Sequence, residues 1–262
     1  MNNLKHCTEL PYTPGTSLYY AFMFETQTIK DDIAPIIAFA KTIYHISMDY
    51  READIAKTKL QWWQQEIHAL YQQNPTHPIS HALLPVLKKY QIPQQFFLEY
   101  LDAAILKIDT NHFCTQQDIA LFAYREQGLM LTAICYVLSN EPMALQKRIQ
   151  HFAYSLTLID LIAYARKYHL HGMQIFPLDA EGDEKALFQS YTDMAYANFE
   201  KAIADLSQKD KKSLRPIILY NKLQLKLLNE IKKTGFDVSQ HEYHLTPLRK
   251  LLIIWWNKYT TC

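Results

Sequence analysis

The chain has 262 residues, 49% of them apolar, which is enough for one substantial core or at most two small ones. Its five glycines (15, 128, 172, 182 and 235) never stand closer than ten positions apart. That excludes a Walker loop, a G-x-G-x-x-G dinucleotide turn and a G-x-S-x-G nucleophile elbow, where clustered glycines let the backbone take positive φ or press against phosphate. The net charge of +1 conceals an uneven spread, since residues 1–207 carry 16 basic side chains against 22 acidic and residues 208–262 carry 11 against 4.

Residues 1–16 read as an irregular segment without the charged-then-apolar order of a signal peptide. Spacing at 54–73 predicts a helix with Ile55, Leu60, Trp63, Ile67 and Leu70 on one stripe, ended by Pro75 and Pro78. Trp62 and Trp63 diverge by about 100°, so only one of them can face the core. Pro93 opens a second helix to 108, with Phe97, Leu98, Leu101, Ile105 and Ile108 inward. Thr115 to Asn140 reads as one long helix, capped by Thr115 with Asp118 in its first turn. Pro142 starts the next, from about 143 to 166, and the pattern breaks over 169–185. Helices at 186–207, 209–234 and 247–259 finish the chain. No stretch alternates like a strand and no repeat is present, so the expected fold is a single all-α domain of antiparallel helices around a central space.

Four scattered cysteines (7, 114, 135 and 262) form no C-x-x-C, which fits a reducing cytoplasm. No apolar run reaches the ~18–20 residues that span a bilayer. The basic tail suits an anionic partner or a membrane surface, or else solvated helix faces paired with the acidic body. Within it, LTPLRKLLIIWWNKY combines Arg249, Lys250 and Lys258 with Leu251, Leu252, Ile253, Trp255 and Trp256. Such a helix either docks its apolar face on the body, the favoured expectation, or lies on a membrane as a peripheral contact through 247–259. Nucleic-acid binding finds no support in a near-neutral chain whose basic residues are not interleaved with aromatics.

Several landmarks together resemble the squalene/phytoene synthase family over residues 17–180. They are Ser17-Leu18-Tyr19-Tyr20-Ala21, Ala38-Phe39, Leu60-Gln61-Trp62-Trp63-Gln64-Gln65-Glu66, Pro75-Thr76-His77-Pro78, Phe97 to Asp102, Tyr124-Arg125 with Gly128, and Ile175-Phe176-Pro177-Leu178-Asp179. The resemblance implies an isoprenoid-synthase-like helical cavity in which prenyl diphosphates are joined, with magnesium held by two aspartate-rich helices. Magnesium would need oxygen ligands in near-octahedral array to absorb the charge of the departing diphosphate.

The carboxylates stand elsewhere. Among the 26 Asp and Glu, only Asp179 and Asp183 are spaced i, i+4, and Pro177 and Gly182 put them in a loop. The family's first aspartate motif falls on Tyr44, His45 and Met48, leaving Asp49. The second should lie within Leu158 to His171, which offers only Asp160, and a further acidic position carries Lys107. This pattern resembles a divergent branch of the family, the complex I assembly factor type, which implies help in building a respiratory membrane complex.

The expectation is therefore a non-catalytic protein, a pseudoenzyme, binding a lipid-like ligand or a protein partner, without catalytic residues, metal or cofactor. Its cavity would be built from Tyr20, Lys41, Tyr44, His45, Met48, Asp49, Trp63, Lys107, Tyr124, Arg125 and Gln127. Lys41, Lys107, Arg125 and Arg166 are candidates for a metal-free diphosphate contact. Arg125, as a buried cation, needs Asp49, Asp102 or Asp109 as partner, or an anionic ligand. The alternative is an active prenyltransferase of isoprenoid biosynthesis with a rearranged site, using magnesium. His169 with His171, His77 with His81, and His241 with His244 have ligand spacing, but each pair lacks a third ligand. The expected location is the cytoplasm, peripheral at the inner face of a membrane.

Overall fold

The computed structural model describes residues 12–49, 52–238, 241 and 243–260. Helices α1 (Ser17–Ala21), α2 (Gln27–Asp49), α3 (Ala53–Tyr71), α4 (Pro78–Tyr90) and α5 (Gln94–Asp109) form the first half. Helix α6 (Gln116–Ala123), a π-turn at Tyr124–Gly128 and α7 (Leu129–Leu138) run on as one rod. After a 3-10 turn at Pro142–Leu145 come α8 (Gln146–Ala163), α9 (Ala165–Leu170), α10 (Glu184–Ile203), α11 (Gln208–Ser213), α12 (Arg215–Lys233) and α13 (Pro247–Thr260). The fold is all-α, and no strand occurs among the described residues.

Polar residues cap several of these helices, where the first backbone N–H groups lack partners. Thr16 Oγ1 accepts from Tyr19 N at 3.2 Å, and the Asp183 carboxylate accepts from Ala186 N at 2.8 Å. Thr115 and Asp118 close a capping box at α6. His77, with Pro78 at the first helical position behind it, caps α4 through its ring, Nδ1 accepting from Ile79 N at 3.1 Å. Asp183 thus has a structural task, which engages one member of the sole i, i+4 acidic pair of the sequence.

Helix α8 packs along α10, α3 along α5, and α2 crosses α4, α5 and α7. Phe39, Phe97, Phe152 and Phe188 are fully buried among aliphatic side chains. The 171–183 loop is tied back by an isolated parallel bridge between Phe113 and Pro177, with Gln174 N donating to Asn111 O and Leu178 N to Phe113 O. The Ile-Phe-Pro landmark therefore has a structural role: Ile175 is buried, and its carbonyl accepts from Tyr191 Oη at 2.8 Å.

Three expectations change. Ile55 is exposed, and Ala56 takes its place on the buried stripe with Leu60 and Trp63, because Ile55 lies about 140° around the helix from Leu60. The stretch 209–234 is two helices, since Pro216 has no N–H to give and clashes with the preceding turn, so α11 stops at Ser213. The segment 143–166 is likewise divided into the 3-10 turn, α8 and the first turn of α9. Cys114 and Cys135 are free thiols, whereas Cys7 and Cys262 lie outside the described residues, as do 1–11 of the expected irregular segment.

Candidate functional site: a helical cavity over a buried ion pair

A cavity of about 450 Å³ opens between α1, α2, α7 and α12, within the size range of small-ligand sites. Its depth is apolar, with Phe22, Ile36, Ile37, Leu131, Ile134 and Ile217 on the wall. Exposed His45 and Tyr164 stand at its mouth with Lys41 and Lys167. Burial lowers the pKa of the Lys41 ammonium, so this cation gains from an anionic companion.

Polar groups converge at one side. Glu126, Gln127 and Asp160 line the wall, and Gln127 Nε2 donates to Asp160 Oδ2 at 3.0 Å. Behind them Lys107 is almost completely enclosed, its side chain 2% exposed, with Nζ 3.1 Å from Glu126 Oε2. The same ammonium lies 5.0 Å from the Tyr44 ring centroid, 5.4 Å from Phe122 and 5.5 Å from Tyr168. An ammonium surrounded by three aromatic rings and a carboxylate is a well-satisfied buried cation. Tyr44 also receives Lys167, whose Nζ is 5.2 Å from the ring. Burial pushes the Asp160 carboxyl up to about 7; Lys107 opposes the shift and Glu126 adds to it.

The π-turn explains why Glu126 and Gln127 both reach this wall. Consecutive residues of a regular helix diverge by about 100°, and the wider π-turn reduces that angle. Arg125 is carried to the far side, into a separate pocket lined also by Asp109, Asn111 and Cys114. It pairs with neither Asp102 nor Asp109: Gln64 Nε2 donates to Asp102 at 2.6 Å, and Lys57 pairs with Asp109 at 2.5 Å. Asp102 and Asp109 are thus engaged by other partners, Asp49 lies outside the described residues, and the enclosed cation of this region is Lys107.

Of the residues anticipated for the cavity, Lys41, Tyr44, His45 and Gln127 line it. Lys107 lies beneath it, in contact with Tyr44 and Glu126. Tyr20 is buried against Tyr19, Met48 is buried in the core, and Trp63 packs on Phe39 and His77, so these three support the walls without lining them. Trp62 is the partner left outside. Tyr124 Oη donates to Glu99 Oε2 at 3.3 Å, away from the cavity. The Asp49 side chain lies outside the described residues. Glu126, Tyr164, Lys167, Tyr220 and Gln224 were not anticipated; the Glu126-Gln127 neighbours of the Tyr-Arg landmark were the available signal for the first.

The described carboxylates of this wall, Glu126 and Asp160, do not form a magnesium set. Among the described residues no group of three or more His, Cys, Asp or Glu is placed to hold a metal ion. Glu126 is already paired with Lys107, and Asp160, whose pKa burial raises, accepts from Gln127.

The squalene/phytoene synthase family model matches residues 13–179. The chain belongs to that family. Squalene/phytoene synthase members also share its shape: a dehydrosqualene synthase solved with a ligand superposes with a TM-score of 0.86 at 14% identity, covering 99% of this chain and 96% of that one. A squalene synthase from Alicyclobacillus acidocaldarius gives 0.75 at 13% identity, with 90% and 95% covered. Among curated proteins, the chain is similar to NADH dehydrogenase (ubiquinone) complex I, assembly factor 6 of Mus musculus, 20% identical over 176 residues. The Rattus norvegicus counterpart is 18% identical over the same length. These matches cover 66% of this chain and 53% of the relatives, so the chain spans about half the length of the curated relatives it matches.

Proposed function

We propose that this family member binds a lipid-like ligand with an anionic head in its cavity, without a divalent metal and without turning it over. The observation that carries this reading is a cavity with an apolar depth and two lysines, Lys41 and Lys167, at its mouth, beside a wall where Glu126 is already paired with Lys107. Lys41 and Lys167 at the mouth would receive the head group, and the apolar depth the tail. Similarity to the assembly factors extends the reading to a protein partner and a role in building a respiratory complex, by analogy alone. Peripheral association at the inner face of a membrane, from the cytoplasm, belongs to the same reading; among the described residues no helix is long and apolar enough to cross a membrane.

A thermal-shift titration with farnesyl diphosphate, run with magnesium and with chelator, tests it. Equal stabilisation in both conditions is expected, weakened by Lys41→Gln or Lys167→Gln and unchanged by Arg125→Gln. Chelator-sensitive turnover of farnesyl or geranylgeranyl diphosphate would overturn it in favour of an active prenyltransferase.

A further inference from the structure

Helix α13 is amphipathic with its two faces exchanged. It packs on α1 and α12, and the side it turns inward holds Lys250, Ile253, Ile254 and Asn257. Only Ile254 is fully buried there. The two polar members are satisfied: Lys250 Nζ donates to Gly15 O at 2.8 Å, and Asn257 Oδ1 accepts from Lys222 Nζ at 2.8 Å. Facing away from the body are Leu248, Leu251, Leu252, Trp255 and Trp256, which fall within an arc of about 140° on a helical wheel. Leu248 is 66% exposed, Leu252 57%, Trp255 57% and Trp256 73%. A helix that existed only to close the core would turn this leucine and tryptophan stripe inward, because its exposure forfeits the hydrophobic gain.

We infer that the outward stripe of α13 is a docking surface for an anionic lipid bilayer. This deepens the peripheral-membrane part of the proposed function and rests on it. Charge selects the occupant. Arg249 borders the stripe but is paired with Glu230 at 3.0 Å, so the charge that counts is the excess of the whole C-terminal part, residues 208–262 carrying 11 basic against 4 acidic side chains. An anionic headgroup layer complements that excess, whereas a second copy pairing face to face would bring like charge together. Two adjacent tryptophans on the stripe suit the boundary between headgroup and acyl chain. The placement also has a consequence for the cavity. Both helices that carry α13 wall it, α1 through Leu18 and α12 through Ile217 and Tyr220, so docking holds the ligand site close to the lipid layer.

Flotation of the full chain with phosphatidylcholine vesicles, with and without phosphatidylglycerol, is the test. Binding to the anionic vesicles is expected, with weak binding to the neutral ones. The double variant Leu252→Glu/Trp256→Glu should bind roughly tenfold more weakly with unchanged thermal unfolding, because both positions are exposed. Brominated lipid should quench tryptophan fluorescence in the parent, and the quenching should vanish in Trp255→Phe/Trp256→Phe, which keeps Trp62 and Trp63. No binding by the parent, or equal binding by the charged variant, overturns the inference. So does a concentration-dependent dimer, broken by the same variant, that ignores vesicles. Farnesyl diphosphate stabilisation, measured on the same samples, separates the two ideas: if it persists without vesicle binding, only the docking surface is lost.

Discussion

The ammonium of Lys107 lies 3.1 Å from the Glu126 carboxylate, on a side chain that is 2% exposed, and the two residues come from different helical segments. Desolvating both charges is costly, and the pair repays it through close approach and the surrounding rings. Removing one member is therefore much worse than removing both. Lys107→Met should destabilise the protein by about 3–5 kcal/mol, read from urea unfolding. The double variant Lys107→Met/Glu126→Gln should recover part of that loss, and strict additivity of the single changes would show the pair to be uncoupled.

Asp160 gives stability a particular pH dependence. Its folded pKa, about 7, stands above the ordinary value of 3.8, so the folded state holds this proton where the unfolded chain has released it. The contribution is therefore favourable at low pH and declines as pH rises from about 4 through 7. Asp160→Asn, which cannot ionise, should match the parent near the lower limit and exceed it in stability above neutrality. Thermal melts across that window check the sign; a constant gap between the two would refute it.

Glu66 behaves in the opposite way. Burial pushes its carboxyl up, but hydrogen bonds from His77 N at 2.8 Å, Thr76 Oγ1 at 2.7 Å and Thr76 N at 2.8 Å outweigh this and hold it below the usual range. Its stabilisation is present above the unfolded pKa and lost as pH falls through the lower folded value. Glu66→Gln should cost about 1–3 kcal/mol at neutral pH, with the difference shrinking in acid. The glutamate of the Trp-Trp landmark thus fastens the 75–78 turn to α3.

Gly128, although part of a family landmark, is not required by space. A Cβ there would meet Ala153 Cβ at 3.5 Å and Tyr124 Cδ2 at 3.5 Å, ordinary contact distances, and its φ of −64° is helical. Gly128→Ala should stabilise the rod by about 0.5–1 kcal/mol, measured by chemical denaturation. A loss of stability would mean that the π-turn needs glycine's freedom.

Local chemistry determined the helices. Apolar spacing at Leu60, Trp63, Ile67 and Leu70, the capping box at Thr115 and the breaks at Pro78 and Pro142 are all short-range signals, and each marks an element that forms. The landmarks determined the family, and Lys107 stands out as a lysine where the family pattern has an acidic residue. Sequence spacing could not reveal that Lys107 meets Glu126, 19 positions away, or that Arg125 turns from the cavity, because those depend on a π-turn and on helix crossings. Nor could it orient α13. Its wheel has an apolar arc, but only packing against α1 and α12 decides that Lys250 and Asn257 face inward while Trp255 and Trp256 face out. Helical periodicity records which residues share a face; which face is buried depends on the partners that tertiary structure brings to it.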